Sequence, residues 1–412
     1  SRTICKRRFF VKRLRPHVTH LRQSAPKRIL LTNFHETDGG GHTSYVLSLA
    51  RGLVGRHAVT VAAPPGSRLH REASRLAGIT TLAQAFPHAL DELLARRRAL
   101  RQLSAWLDAH PVDVVQVAGS ADHRLVLAAL RGRRPRPLVV LARHNSKPLH
   151  GLGHWWRARA TDLVIAVSAW SRDELATTPY RRCRIALVPN GVETARFTPW
   201  SSEDAMAARR SWFPHDPCPG EPGAPLVLGS VAGTATFKGW MDLVEAMALL
   251  EPDERAACRV LLCGRDPSAR DLARIDALGL RGQVRFAGLL DDVRPAIAAC
   301  DVGFVLSYAV ETISIACREM MAMGKPVLVT RYAGLPENIV PGVDGWVVPP
   351  RDRVAIADTI RAMLADRARL AAMGQAARTH ALAEFGIDRF VSATDAAYRD
   401  ALAARADGVR TQ

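Results

Sequence analysis

Two carboxylates, Glu311 and Glu319, stand eight residues apart around a predicted strand-to-helix turn. The helix is expected to end near Gly324, because glycine commonly terminates helices. Backbone N–H groups at the start of a helix attract phosphate, and carboxylates accept hydrogen bonds from hydroxyl groups. An anion-binding turn between two hydroxyl acceptors fits a sugar–diphosphate–ribose ligand, while a capped helix with solvated glutamates is the plain structural alternative. The amides expected at the anion are those of Thr312, Ile313 and Ser314.

Two loops of small residues each follow a predicted strand. In the first loop, Gly39, Gly40 and Gly41 lead into a helical stretch. In the second loop, Gly233 opens a turn that ends in Lys238. Glycine lets the backbone approach a ligand closely, and a lysine meets phosphate as a point charge. Each loop alone is a weak signal, because a tight connecting turn uses the same residues.

Apolar strands alternate with helical patterns in two separate series, which predicts two doubly wound parallel sheets. Ligands bind such sheets beyond the carboxyl ends of the strands. That rule selects the turns at 39–41, 119–123 and 143–147, and it places His144 in a predicted cleft, although a lone histidine is as often structural. The predicted strands are 27–33, 58–62, 112–118, 138–142, 163–167 and 185–188 in the first series, and 226–232, 260–263, 284–287, 301–307, 326–330 and 346–348 in the second.

The chain has 412 residues, which exceeds an ordinary single domain, so two domains are expected. Residues 199–225 contain six prolines and are predicted to link the two domains. The expected organisation is a basic arm at 1–26, a first domain at 27–198, the linker, and a second domain at 226–385.

The charge of the chain predicts an anionic partner, since 57 Lys and Arg against 39 Asp and Glu give a net +18. Residues 1–28 contain ten Lys or Arg and no acid, with apolar residues between them. A membrane-surface segment, a nucleic-acid tail and a disordered leader all remain open for this arm. Trp155 and Trp156 beside Arg157 fit an interfacial loop or an acceptor clamp, with core packing equally open.

Seven cysteines are scattered along the chain without C-x-x-C spacing, which favours free thiols in a reducing compartment. No apolar run reaches the ~18 residues that span a bilayer, and the basic start lacks the continuous apolar core of a signal peptide. We therefore expect a cytoplasmic protein that is peripheral on the inner face of the cytoplasmic membrane. No Asp-x-Asp pair stands at a predicted strand end, so no metal site is expected.

Several blocks of the sequence, taken in order, resemble the retaining GT-B glycosyltransferases of family 4, the glycogen-synthase and mannosyltransferase-like group. The similarity covers roughly residues 27–400. Residues 311–319 resemble the E-x7-E motif of that family, and Phe237-Lys238-Gly239 resembles its donor-phosphate loop. The further similar blocks are 188–193 (VPNGVE), 334–337 (GLPE) and 342–350.

The resemblance implies an α/β chain of two facing Rossmann-like domains, with the reaction in the deep cleft between them. It implies a last helix at about 386–408 that crosses back onto the first domain. A UDP-, GDP- or ADP-sugar would be the donor substrate, and no cofactor is expected. Lys238 would neutralise the diphosphate, Glu311 would contact sugar hydroxyls, Glu319 would contact the ribose, and His144 is a further catalytic candidate. The residues implied to border the donor are Gly39, Gly40, Gly41, Gly233, Gly264, Arg265, Leu289, Thr312, Ile313 and Ser314.

Two positions depart from the pattern of the family. An arginine usual a few residues before the lysine is missing at 231–234 (VAGT), and Arg265 and Arg143 are the candidate replacements. A histidine often found at the end of the 112–118 strand is replaced by Ala118, with His123 and His144 as candidates for its role.

We therefore expect a retaining hexosyl- or heptosyltransferase that moves a sugar to a phosphorylated or lipid-linked glycan, in bacterial lipopolysaccharide or other surface-glycan synthesis. The expected partners are the nucleotide sugar, an anionic glycan or glycolipid acceptor and the inner membrane surface, without nucleic acid. Two alternatives stay open: a sugar-nucleotide epimerase of the same fold, and a non-catalytic basic protein that binds membranes or RNA.

Overall fold

The computed structural model describes residues 25–37, 39–87 and 92–410. The predicted basic arm at 1–26 lies almost wholly outside these residues. Among the helices of the described ranges, none combines the length and the apolar character needed to cross a bilayer.

The first sheet has seven parallel strands in the order β3-β2-β1-β4-β5-β6-β7. Its buried central strands were all predicted, because continuous apolar runs are typical of a sheet covered on both faces. Strand β3 was missed: it lies at the edge, is only partly buried and contains two threonines. The strands are β1 (Arg28–Thr32), β2 (Ala58–Ala63), β3 (Ile79–Ala83), β4 (Val114–Val117), β5 (Leu138–Arg143), β6 (Leu163–Ala166) and β7 (Arg184–Leu187).

Helices cover both faces of this sheet. Helix α1 packs on one face together with the last helix of the chain, while α3, α4 and α5 pack on the other. Each crossover helix begins near the carboxyl edge of the sheet, as βαβ units require. The helices are α1 (Gly40–Leu53), α2 (Arg68–Ala73), α3 (Leu93–Ala109), α4 (Ser120–Ala129), α5 (Leu152–Arg159) and α6 (Ala169–Ala176), and a 3₁₀ turn spans Pro179–Arg182.

The proline-rich stretch at 199–225 contains a helix, α7 (Ser202–Trp212). Arg209 on this helix is buried and pairs with Asp301 at 3.0 Å, and Asp301 also accepts a hydrogen bond from the Val227 amide. Part of the predicted linker is therefore packed on the second sheet, and the domain boundaries remain a prediction.

The second sheet has six parallel strands in the order β10-β9-β8-β11-β12-β13, which repeats the strand order of the first. The prediction of two Rossmann-like domains is thus confirmed. The elements are β8 (Leu226–Ser230), a 3₁₀ turn (Thr236–Lys238), α8 (Trp240–Met247), α9 (Pro252–Ala256), β9 (Cys258–Cys263), α10 (Ala269–Ala277), β10 (Val284–Gly288), α11 (Arg294–Ala299), β11 (Val302–Val305), α12 (Ile315–Ala322), β12 (Val327–Thr330), a 3₁₀ turn (Leu335–Asn338), β13 (Gly345–Val348), α13 (Arg353–Ala365) and α14 (Ala368–Glu384).

The last helix, α15 (Ile387–Arg410), returns from the second domain to the first. Its Phe390, Val391 and Tyr398 join the core around α1. The Tyr398 hydroxyl donates to Gln116 Oε1 at 2.6 Å inside that core. This return ties the far end of the chain to the first sheet.

Candidate active site

A cleft of about 590 Å³ lies between the two domains and opens along the carboxyl edges of both sheets. Polar residues from both domains line it, as the strand-end rule predicts. Most of the predicted site residues meet there: Gly39, Gly40, Gly41, His144, Gly233, Lys238, Gly264, Leu289, Glu311, Ile313, Ser314 and Glu319.

On the second-domain side, Lys238 and Glu311 form an ion pair of 2.7 Å between Nζ and Oε2. Both side chains are largely buried, and Ser307 Oγ lies 3.5 Å from the same carboxylate oxygen. Gly239 follows the lysine with φ of 70°, and a Cβ there would collide with the Leu306 carbonyl oxygen. The close approach of these two backbones brings the lysine to the glutamate, although they are far apart in sequence.

Helix α12 begins at Ile315, directly after the turn at 312–314 whose amides were predicted to bind the anion. Ser314 caps it by accepting a hydrogen bond from the Cys317 amide at 3.2 Å. Thr312 is buried, does not line the cleft, and donates through Oγ1 to the His144 carbonyl at 3.0 Å. That bond joins the segment before the helix to the first domain. The backbone that faces the cleft is therefore shifted to residues 313–316.

The loop before Glu311 carries backbone strain. Val310 has φ of 56°, a left-handed conformation that a β-branched residue rarely adopts. The residue lines the cleft and is partly exposed, so packing alone does not impose this conformation. Strain of this kind clusters at functional sites.

Glu319 is on helix α12 and lines the cleft. Burial raises the pKa of its carboxyl to about 7, and the nearby Arg196 and Arg68 lower that pKa in part. Within the described residues we find no hydrogen bond to this carboxylate. Its oxygens are thus available to ligand hydroxyls.

The first domain lines its side of the cleft with aromatic and histidine rings. His42 stands between His35 and His144, with ring centroids 4.9 and 4.8 Å away. The ring of Tyr45 packs against that of His144, with the ring centroids 4.2 Å apart. Burial lowers the pKa of His144 to about 3, helped by Arg143, and lowers the pKa of His42 well below its usual value. Both rings are therefore neutral at physiological pH.

Two ring nitrogens of this cluster, His42 Nδ1 and His144 Nε2, are buried without a hydrogen-bond partner in the described residues. Buried polar atoms are usually paired, so these two atoms fit ligand hydroxyls. His144 was predicted from its place after β5, and His42 was missed. Its position one residue beyond the three glycines was the available signal.

The place of the usual family histidine, at the end of β4, is filled by a different arrangement. The ring of Phe34 packs so closely on Gly119 that a Cβ there would collide with it. The carboxylate of Asp122 accepts hydrogen bonds from the amides of Ala118 and Gly119 at 2.7 and 2.9 Å. His123, one of the two candidates, is buried and contacts Thr161 at 3.0 Å instead of lining the cleft.

The two arginines considered as replacements for the missing donor-loop arginine do not line the cleft. Arg265 is exposed, and Arg143 is buried and holds its own loop through Asn145 Oδ1 at 3.1 Å. The arginines that do line the cleft are Arg51, Arg68 and Arg196. No spacing in the sequence marks these three arginines, because they come from three separate parts of the chain.

Arg318 joins the two domains and was also missed. It is buried within α12, donates through Nε to Asn338 Oδ1 at 2.8 Å, and reaches the carbonyl of Asn190 in the first domain. Burial lowers the pKa of its guanidinium to about 10, so it remains charged. Glu337 adds a second bridge, accepting from the Ala169 and Trp170 amides at 2.7 and 2.8 Å.

Two family models match the chain in succession. Residues 39–196 match "Glycosyltransferase Family 4", and residues 225–366 match "Glycosyl transferases group 1". The two matched segments correspond to the two sheets. Together they span both walls of the cleft.

Individual relatives agree with these models. A GDP-mannose-dependent alpha-(1-6)-phosphatidylinositol monomannoside mannosyltransferase from Mycolicibacterium smegmatis is 27% identical over 86% of this chain and 93% of its own length. A D-inositol 3-phosphate glycosyltransferase from Corynebacterium jeikeium is 31% identical over 48% of each chain. The solved sucrose-phosphate synthase from Thermosynechococcus elongatus superposes with a TM-score of 0.77 at 20% identity, covering 92% of this chain and 100% of its own.

Proposed function

Because the chain is a glycosyltransferase of the GT-B type, in the group 1 and family 4 class, we propose that it transfers mannose from GDP-mannose to an anionic, lipid-linked acceptor. Retention of the anomeric configuration is part of the proposal. The observation that carries it is the Lys238–Glu311 pair, which faces the neutral histidine cluster across the cleft. The mannosyl donor is taken from the mycobacterial relatives.

The Lys238–Glu311 pair prepares both halves of the donor site. When the diphosphate binds, Lys238 turns from the carboxylate to the phosphate oxygens, since a doubly charged partner attracts the ammonium more strongly. Glu311 is then free to accept hydrogen bonds from the sugar hydroxyls. The open amides at the start of α12 add a second positive group at the diphosphate. The carboxylate of Glu319 accepts hydrogen bonds from the ribose hydroxyls.

Stabilisation of the leaving group carries most of the proposed rate enhancement. The bond between the anomeric carbon and the diphosphate oxygen breaks, and the acceptor hydroxyl forms its new bond on the same face of the sugar. The hydroxyl proton passes to the departing phosphate oxygen, so charge and atoms balance. His144, with a pKa of about 3, is too weak a base for this proton and instead orients a hydroxyl.

The acceptor is proposed to be a polyol or glycan that carries phosphate. The relatives act on phosphatidylinositol mannosides and inositol phosphate, and Arg51, Arg68, Arg196 and Lys147 line the cleft of this chain. In the structure the three arginines pair with Glu193, Glu72 and Asp292, respectively. A phosphate on the acceptor would compete with these carboxylates for the cations. Lipopolysaccharide core belongs to the same chemical class and is one member of the acceptor panel below.

Thermal unfolding with GDP-mannose, UDP-glucose, ADP-glucose and a CMP-sugar tests the donor, because a bound ligand stabilises the folded protein by mass action. We expect the largest shift with GDP-mannose. Product analysis with phosphatidylinositol mannoside, inositol phosphate and lipopolysaccharide core then tests the acceptor, and NMR of the product tests retention. An altered sugar nucleotide formed without any acceptor would instead identify an epimerase.

A further inference from the structure

Five large apolar side chains are exposed near the starts of two helices of the first domain, α3 and α5, which lie on either side of α4. Leu93 and Leu94 open α3 with 53% and 79% of their surface exposed. Leu152 opens α5 with 81% exposed, and Trp155 and Trp156 follow it at 36% and 66%. The core-packing alternative for these tryptophans is therefore wrong. We call these five residues, with the arginines of α3 and α5, the docking face.

The same two helices are strongly basic. Helix α3 contains Arg96, Arg97, Arg98 and Arg101 against one acid, Asp108 in its last turn, with Glu92 as its N-cap. Helix α5 contains Arg157 and Arg159 and no acid. The pKa of Arg124, on the α4 helix between them, is lowered by burial and by the nearby charges of Arg157 and Arg96. Because α4 contacts both α3 and α5, the cations of the three helices lie on one face of the domain.

The position of the docking face relates it to the cleft. Helices α3 and α5 lie on one face of the sheet, with α4 contacting both. Their first residues lie toward the carboxyl edge of the sheet, where the cleft opens. The loop at 144–151 leads directly from His144 and Lys147, which line the cleft, to Leu152. The α5 part of the docking face thus follows directly on a loop that lines the cleft.

The side chains themselves favour a lipid surface. The guanidinium of Arg159 lies 3.7 Å from the centre of the Trp155 ring, an exposed cation–π contact that joins an apolar ring to a charge. Tryptophan with arginine is typical of the membrane–water interface, and an Arg-rich face is attracted to anionic lipids. A nucleic-acid surface would not need exposed leucines.

We propose that the docking face seats the first domain on an anionic bilayer, with Trp156, Leu152 and Leu94 inserted among the headgroups and the cleft opening toward a lipid-linked acceptor. The inference deepens the proposed function and rests on it only for the acceptor. Membrane binding by this face does not require that sugar transfer occurs.

The first test is binding of the full chain to phosphatidylcholine vesicles with and without phosphatidylglycerol. Leu94→Ser/Leu152→Ser/Trp156→Ser should weaken binding to the anionic vesicles at least ~10-fold, because inserted apolar area drives interfacial binding. The control changes three exposed apolar residues of the second domain, Leu249→Ser/Val354→Ser/Leu382→Ser, and should bind normally. Arg97→Gln/Arg98→Gln should weaken binding more than Arg270→Gln/Arg285→Gln.

The second test separates this face from the basic segment at the start of the chain. Vesicles with brominated lipid should quench the fluorescence of the native chain, and the quenching should fall sharply in Trp155→Phe/Trp156→Phe, which conserves aromatic character. Equal vesicle binding and equal quenching in native and altered chains would overturn the proposal, since another segment would then make the contact.

Activity assays keep failure of this inference distinct from failure of the proposed function. The serine triple variant should retain transfer to a deacylated acceptor and lose it on the vesicle-embedded form. Loss on both would refute a docking role, whereas absence of transfer by the native chain would refute the proposed function alone. Light scattering tests whether a second copy of the chain occupies the docking face. A dimer of the native chain that the triple variant abolishes would assign this face to the second copy and overturn the membrane proposal.

Discussion

The two walls of the cleft are built on sheets of the same strand order, yet they differ in electrostatics. The second domain presents an ion pair, Lys238 with Glu311, and the titratable Glu319. The first domain presents His42 and His144, whose pKa values are lowered so far that the rings stay neutral. A diphosphate leaving group needs charge, whereas sugar and acceptor hydroxyls need only directional hydrogen bonds. The comparison teaches that one topology supplies two kinds of wall through the residues at its strand ends.

The largest effect should come from the charged wall. Lys238→Ala should lower kcat roughly a hundredfold, which corresponds to an activation free energy raised by ~3 kcal/mol. The reason is that the ammonium meets charge that grows as the diphosphate leaves. The KM for the donor should change less. Steady-state kinetics with varied donor measures both constants.

Lys238→Arg provides the control for this prediction, since it keeps the charge, and it should retain more activity than the alanine variant. Glu311→Gln tests the partner side of the ion pair. A Lys238→Ala variant in which only the donor KM rises would assign the lysine to ground-state binding and contradict the leaving-group role.

A smaller effect on the same wall is expected from Glu319→Gln. The change should weaken donor binding by about 1–3 kcal/mol, which appears as a higher donor KM. The kcat should stay nearly constant, because ribose hydroxyls do not change during the reaction. The pKa of about 7 adds a pH dependence. Native donor affinity should rise between pH 6 and pH 8 as the carboxylate forms, and the affinity of the variant should stay flat.

The thermal stability of the folded chain should also depend on the protonation of Glu319. The pKa of Glu319 is raised in the folded chain, so the stability that its protonated form contributes is present at acid pH and is lost as pH rises through about 7. Glu319→Gln should therefore unfold at a higher temperature than the native chain at pH 8 and at a similar temperature at pH 5. The reverse ordering would show that the carboxylate is paired in the folded chain.

The neutral wall should give a still smaller effect. His144→Ala removes one neutral hydrogen-bond partner and should raise the activation free energy by about 0.5–1.5 kcal/mol, seen as a lower kcat. The donor KM should stay unchanged. His110→Ala, at an exposed histidine that stacks on Trp106, is the matched control and should have no effect. A loss of activity in His144→Ala as large as in Lys238→Ala would make the histidine a catalytic base and erase the contrast between the walls.

The smallest expected effect is that of metal removal. In the proposed mechanism Lys238 and backbone amides meet the charge on the diphosphate. No cluster of three metal-ligating side chains occurs in the part of the chain that the structure describes. Activity should survive EDTA. A complete loss that Mg²⁺ restores would show that the lysine wall is insufficient by itself.

The sequence determined much of the charged wall, because its signals are local. The E-x7-E spacing, the small loop that ends in Lys238, and the alternation of strands and helices each lie within a short stretch. Local patterns also predicted two parallel sheets and the long last helix. The edge strand β3 escaped, since a half-buried strand with two threonines lacks a continuous apolar run.

The tertiary structure alone decided how these stretches meet. Only folding brings Lys238 to Glu311, through a backbone contact between Gly239 and Leu306 that no local pattern reports. The amide of Thr312 was predicted at the phosphate, but Thr312 is buried, bonds to the carbonyl of His144 in the other domain and does not line the cleft. The neutral state of His144 arises in the same way, because burial by residues distant in sequence sets its pKa, and burial is a property of the packed chain.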